Sequence, residues 1–305
     1  MPNHANGGRR MKKLIVFVFV GFIAQLIDGS LGMAYGVTST TLLLTFGIAP
    51  AVASASVHLA EVVTTAASGV SHWKFGNIDR DMVVKLIIPG SVGAFVGACF
   101  LSNLPGDLIK PCISLFLLAL GFYIIYRFLF LNGRSSSKSK KQWSNKQLIP
   151  LGLTAGFLDA TGGGGWGPIA TPILLANKST EARKVIGTVD TSEFAIALSA
   201  TLGFAISLGW EQVNWYWVLT LMAGGIVAAP IAAWLVRKLP SHLLGVLVGG
   251  LIILTNARTL LHAWEVPAPV YPTVYGLIVI GWATAVWMAI KNGRKGKVAS
   301  GEMVS

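Results

Sequence analysis

Apolar positions in this chain run together; they neither alternate nor keep to one face of a helix. Leu14 to Ile27, Met82 to Leu101, Leu108 to Leu131, Val213 to Val236, Leu243 to Leu261 and Val270 to Ile290 are apolar stretches carrying few ionisable groups. As helices they suit a hydrocarbon core of about 30 Å. Inside lipid the backbone must satisfy its own polar groups, which leaves helices or closed barrels, and continuous runs select helices. The pattern predicts an all-α polytopic membrane protein, multi-pass in the cell membrane.

Two interruptions stand out. The first segment runs to about Ile27, breaks at Asp28-Gly-Ser-Leu-Gly and resumes to about Phe46; a second break reads Asp159-Ala-Thr-Gly-Gly-Gly-Gly-Trp-Gly-Pro168. The pieces on either side are short for a crossing. Re-entrant hairpins are expected, because non-helical backbone at membrane depth is tolerated only where protein or a water-filled cavity surrounds it.

The two breaks are copies. Gly21 to Leu44 aligns without a gap on Gly152 to Leu175, at an offset of 131 (159 − 28), and Asp28/Asp159, Gly32/Gly163, Gly36/Gly167 and Thr40/Thr171 are among the identities. An acidic residue inside a membrane segment is rare, so the Asp pair weighs most. His58-Leu-Ala-Glu61 then falls on Asp190-Thr-Ser-Glu193 at 132 (193 − 61), and Leu104-Pro105 on Leu239-Pro240 at 135 (240 − 105). The expected organisation is a basic tail (1–12), a first membrane repeat (13–131), a Ser/Lys-rich loop (132–147), a second repeat (148–262), a C-terminal transmembrane helix (268–290) and a tail (291–305). Each repeat is a broken helix followed by three transmembrane helices. If each hairpin returns to its starting side, the repeats are inverted.

Composition agrees: 53% of residues are hydrophobic and 12% charged, against about 25% charged in a soluble domain. The net charge of +12 does not indicate nucleic acid, since the basic residues flank membrane segments. Positive-inside bias places the central loop, Lys178/Arg183/Lys184, Arg237/Lys238 and the C-terminal tail in the cytoplasm, with Trp210 to Asn214 and His262 to Pro269 outside. It leaves the basic N-terminal tail outside, against the rule. The start of the chain resembles a secretory signal, but a copy of the segment sits in mid-chain, so it is read as part of the mature fold. Cys99 and Cys112 offer neither a disulfide framework nor metal-ligand spacing.

Four consecutive glycines each cost helix stability of about 1 kcal/mol relative to alanine. Glycine lets a ligand approach backbone N–H groups, and the N-terminus of the resumed helix is an anion site. Ser30, Gly32, Thr161, Gly162, Gly163, Gly164, Gly165 and Trp166 are therefore the candidate substrate-binding residues; close helix packing is the competing reading of the glycines. Asp28 and Asp159 read either as N-caps of the resumed helices or as carriers of a proton or cation. His58, Glu61, Asp190 and Glu193, spaced three apart in pairs, join them as coupling or gating candidates, with structural pairing between helices as the plain alternative. His72, His242 and His262 read as interface anchors. No nucleophilic constellation or phosphate-binding loop appears, and no cofactor or resident metal is expected.

At these motifs the chain resembles the sulfite exporter TauE/SafE family, over Leu14 to Ile290, on GFIAQLIDGSLGMAYG, GFLDATGGGGWGP and the helix after each. The resemblance implies export of sulfite, organosulfonates or related small anions, with membrane lipid as the other partner and a homodimer left open. Two alternatives remain: a membrane metalloenzyme using His58, Glu61, Asp190 and Glu193, or a cation carrier or channel gated by the acidic residues.

Overall fold

The computed structural model describes residues 4–131, 143–176, 181–235 and 241–299. The described residues are helical with short turns: α1 (His4–Leu31), α2 (Tyr35–Thr45), α3 (Pro50–Lys74), α4 (Arg80–Ser102), α5 (Gly106–Tyr126), α6 (Asn145–Gly162), α7 (Trp166–Ala176), α8 (Ala182–Ser207), α9 (Trp215–Leu235), α10 (Ser241–Ala263) and α11 (Tyr271–Ala299). Most of the loop 132–147, and Lys178, Arg237, Lys238 and the last six residues, lie outside the described residues.

Among the described residues, six spans are long and apolar enough to cross a membrane: Arg80–Ser102, Leu108–Phe130, Arg183–Ser207, Trp215–Leu235, Gly245–Ala263 and Ala268–Asn292. The last shows lipid the most surface. Only 11% of its window is buried, and it leans on α10, where Trp282 Nε1 donates to the Val246 carbonyl at 3.1 Å. In contrast, α3 is 25 residues long and carries Ser54, His58, Glu61, Thr65, Ser68 and His72 along one face, all buried. Such a stripe is tolerable only inside protein, and α3 packs against α2, α8 and α9.

Each broken segment folds back on itself. The Phe17 and Phe46 rings lie 5.5 Å apart, so α2 ends beside the start of the apolar part of α1, Ile15–Leu31. α1 runs parallel to α9, with Phe17 by Trp217 and Gly29 by Ala232; α6 runs parallel to α4, with Gly152 by Pro89 and Phe157 by Phe100. α9 starts at the end of the bundle where α8 finishes, whereas α4 starts at the end where α3 finishes. Consequently the α1–α2 hairpin enters from the end holding the α2–α3 and α4–α5 turns, and the α6–α7 hairpin from the other. The apolar part of α1, Ile15–Leu31, is about 25 Å long and reaches most of the way across a core of about 30 Å.

The first helix does not stop at Ile27 but continues through Asp28 to Leu31, and the second continues through Asp159 to Gly162. The stop signals are Gly32 (φ 67°) and Gly163 (φ 68°), whose N–H groups bond the Asp28 and Asp159 carbonyls at 2.5 and 2.7 Å. This is the left-handed cap that glycine adopts without penalty.

Candidate functional site

The two breaks touch each other in the buried interior. Thr40 Oγ1 donates to the Gly163 carbonyl and Thr171 Oγ1 to the Gly32 carbonyl, both at 2.5 Å. A side chain on Gly36 would stand 2.7 Å from Gly164 Cα, and one on Gly167 would stand 2.6 Å from Met33 Cα. The glycines thus let one hairpin's backbone lie on the other's. The space they leave is filled by protein: Phe116 covers Gly162, Thr40 covers Gly163, and the Gly36–Val37 backbone covers Gly164.

Asp28 and Asp159 cap the resumed helices, but from the incoming ones. Each sits in the last turn of the incoming helix and reaches across the break to the first amides of the next. Gly165 N and Trp166 N donate to Asp159 Oδ1 at 2.7 and 3.0 Å, and Tyr35 N donates to Asp28 Oδ1 at 3.4 Å. The anion held at the α7 N-terminus in this conformation is the chain's own carboxylate.

The hydroxyls of Ser30 and Thr161 donate to the Leu26 and Phe157 carbonyls of their own helices, at 2.6 and 2.8 Å. Trp166 is fully buried, its ring nitrogen donating to the Val189 carbonyl at 3.1 Å.

The remaining candidates divide into two buried constellations. In the first, His58 Nε2 lies 3.1 Å from Asp159 Oδ2 and 3.9 Å from Glu61 Oε2, while its Nδ1 faces the Ser54 carbonyl at 2.8 Å. Both ring nitrogens meet oxygen acceptors, an arrangement that a doubly protonated ring satisfies. Glu61 lies against Gly36 at the start of α2, and neither of its oxygens has a hydrogen-bond partner. In the second, oxygens of Asp28, Asp190 and Glu193 lie within 4.8 Å of one another. Ser68 Oγ donates to Asp190 Oδ2, and His72 Nε2 lies 3.4 Å from the same oxygen.

His72 is not the interface anchor that its place beside Trp73 suggests. It is fully buried and held by Asn77 at 3.2 Å; it does not sit at an interface. The side chains of His242 lie outside what is described, and His262 is exposed beside Tyr271. Ser54, Ser68 and His72 complete the α3 stripe, and the 4-3-4-3-4 spacing from Ser54 to His72 is the signal in the chain that could have found them. Thr40 and Thr171 were visible only as identities between the two copies.

A basic cavity of about 420 Å³ lies at the end where α2 and α10 finish, lined by Thr45, Lys110, Arg258, Thr259 and His262 among others. Below it, Asn256 Nδ2 donates to Thr41 Oγ1 at 2.9 Å. Thr41 is the neighbour of Thr40, which touches the glycine break.

The sequence profile described as "Sulfite exporter TauE/SafE" matches residues 17–259. The chain is similar to two proteins of Bacillus subtilis (strain 168). It is 68% identical over 282 residues to "Probable membrane transporter protein YtnM", covering 92% of this chain and 94% of that protein. It is 26% identical over 234 residues to "Probable membrane transporter protein YdhB", covering 76% and 92%. No solved structure matches the chain.

Proposed function

Because the chain belongs to the sulfite exporter TauE/SafE family and is a multi-pass membrane transporter, we propose that it moves sulfite, organosulfonates or related sulfur oxyanions out of the cell as a secondary transporter. The observation that carries this reading is the convergence of the first α7 amides on one carboxylate oxygen, deep inside a fold that a hairpin enters from each end. A backbone built to hold an internal carboxylate can hold a small oxyanion in its place. Substrate and Asp159 then compete for Gly165 N–H and Trp166 N–H, and His58 keeps the displaced carboxylate paired.

Lys110, Arg258 and His262 supply positive potential at one mouth, which raises the local concentration of an anion. Thr45, Thr41 and Thr40 mark a polar route from that cavity to the break. Lys74, Arg80, Lys85, Lys146, Arg183 and Lys184 gather at the opposite end, which positive-inside bias makes cytoplasmic. The basic cavity then faces outward. With the interior negative, outward movement of one negative charge is favoured by about 2.3 kcal/mol per 100 mV.

The duplicated halves fit alternating access by rocking of one hairpin pair against the other. A metalloenzyme reading needs His58, Glu61, Asp190 and Glu193 on one ion, but His58 bonds Asp159 while Asp190 and Glu193 group with Asp28. Flux of sulfite, sulfate, an organosulfonate and chloride into proteoliposomes at clamped voltage tests the proposal. Saturable, voltage-sensitive flux of a sulfur oxyanion is expected; cation currents indifferent to every anion would refute it.

A further inference from the structure

The two buried constellations are equivalent in the duplicated pattern yet differ in charge. Asp159, His58 and Glu61 in one correspond to Asp28, Asp190 and Glu193 in the other, at offsets of 131, 132 and 132. Where the first has an imidazole at the carboxylate of the break, the second has a third carboxylate. His58 bonds Asp159 directly; nothing cationic occupies the corresponding place beside Asp28 among the described residues.

We propose that Asp28, Asp190 and Glu193 form a binding site for a hard cation of the size of Na⁺ or Ca²⁺. Their oxygens lie within 4.8 Å of one another, and ligands held at 2.3 to 2.6 Å from an ion of that size lie at most about 5 Å apart. All three residues are buried. The donor set is oxygen only, which suits a hard ion and not zinc or copper.

Two further observations point to a ligand. No donor group reaches Asp28 Oδ2 or Asp190 Oδ1, although both are shut away from solvent. Gln25, one turn before Asp28 on α1, is fully buried with both amide atoms unpartnered. Its Nε2 and Ser68 Oγ both face the Cα of Gly29, lying 3.7 and 3.3 Å from where a β-carbon there would stand, and Ser68 bonds Asp190. Buried polar atoms are almost always paired, and a cluster of exceptions marks a missing partner. His72 lies 3.4 Å from Asp190, and even a charged ring there would offset one of three negative charges and leave the rest to an ion.

The site makes the ion a candidate for coupling, but its existence does not depend on anion transport and is read without any flux. The thermal midpoint of the purified full-length protein in detergent is followed while NaCl or CaCl₂ replaces choline chloride at fixed ionic strength. One of the two ions raises the midpoint by several degrees with saturation, as a ligand of the folded state must. Asp190→Asn and Glu193→Gln abolish the shift, whereas Asp81→Asn, which alters an exposed carboxylate paired with Lys85, retains it. Asp190→His installs the counterpart of His58, so it raises the starting midpoint and removes the response. Absence of a shift in the parent protein overturns the inference. So does a shift that survives Asp190→Asn and Glu193→Gln, or a midpoint that follows pH and no metal ion.

Discussion

The Thr40 hydroxyl donates to the Gly163 carbonyl at 2.5 Å, tying one hairpin to the carbonyl exposed at the end of the other. Thr171 and Gly32 repeat the contact at the same distance. Removing a buried hydroxyl partner costs about 1 to 3 kcal/mol when the acceptor is left unsatisfied. Thr40→Val and Thr171→Val should therefore lower thermal stability by similar amounts and both slow flux. Melting midpoints in detergent with flux in proteoliposomes check this; a strongly one-sided loss would show that the two ties are not equivalent.

Among Gly163, Gly164 and Gly165, substitution should rank by backbone. Gly163 and Gly164 carry φ of 68° and 149°, whereas Gly165 is outside that region. Left-handed backbone costs an L-residue about 1 to 2 kcal/mol. Gly163→Ala and Gly164→Ala also drive a methyl into the facing hairpin. Gly165→Ala should be the mildest of the three in yield of folded protein by size-exclusion chromatography.

His58 is the partner of two buried carboxylates. His58→Gln strands them, and breaking a buried pair typically costs about 3 to 5 kcal/mol. Adding Asp159→Asn should recover part of that loss. A double-mutant cycle on the unfolding midpoint measures the coupling, and simple additivity would contradict the pairing.

If the basic cavity attracts anions at the outer mouth, Lys110→Gln and Arg258→Gln should raise the half-saturating sulfite concentration for uptake offered from that side and leave the maximal rate nearly unchanged. The effect should shrink as salt is added, because exposed charges are screened beyond about 10 Å at 0.1 M. Initial rates at two ionic strengths decide it.

Much of the fold was legible in the chain. Continuous apolar runs mark spans, and the Asp-Gly motif marks each break. Asp28 reads as the first residue of the break because Asp favours helix starts, and nothing local shows that it lies in the last turn of α1 with Gly32 as the stop. The role of the glycines was open for a related reason. Close approach serves a ligand or a second backbone equally well, and only the packing of Gly36 on Gly164 tells which surface fills the space. His72 looked like a membrane-edge residue beside Trp73 and Lys74, yet Asn77 reaches the Ala233 carbonyl and closes that corner over it.

In the proposed transport cycle Asp159 occupies the substrate's place at the α7 N-terminus. The most direct test is the concentration dependence of sulfite flux in proteoliposomes, parent protein against Asp159→Asn. A weaker internal competitor predicts a lower half-saturating concentration together with a lower maximal rate. An unchanged half-saturating concentration would contradict the claim.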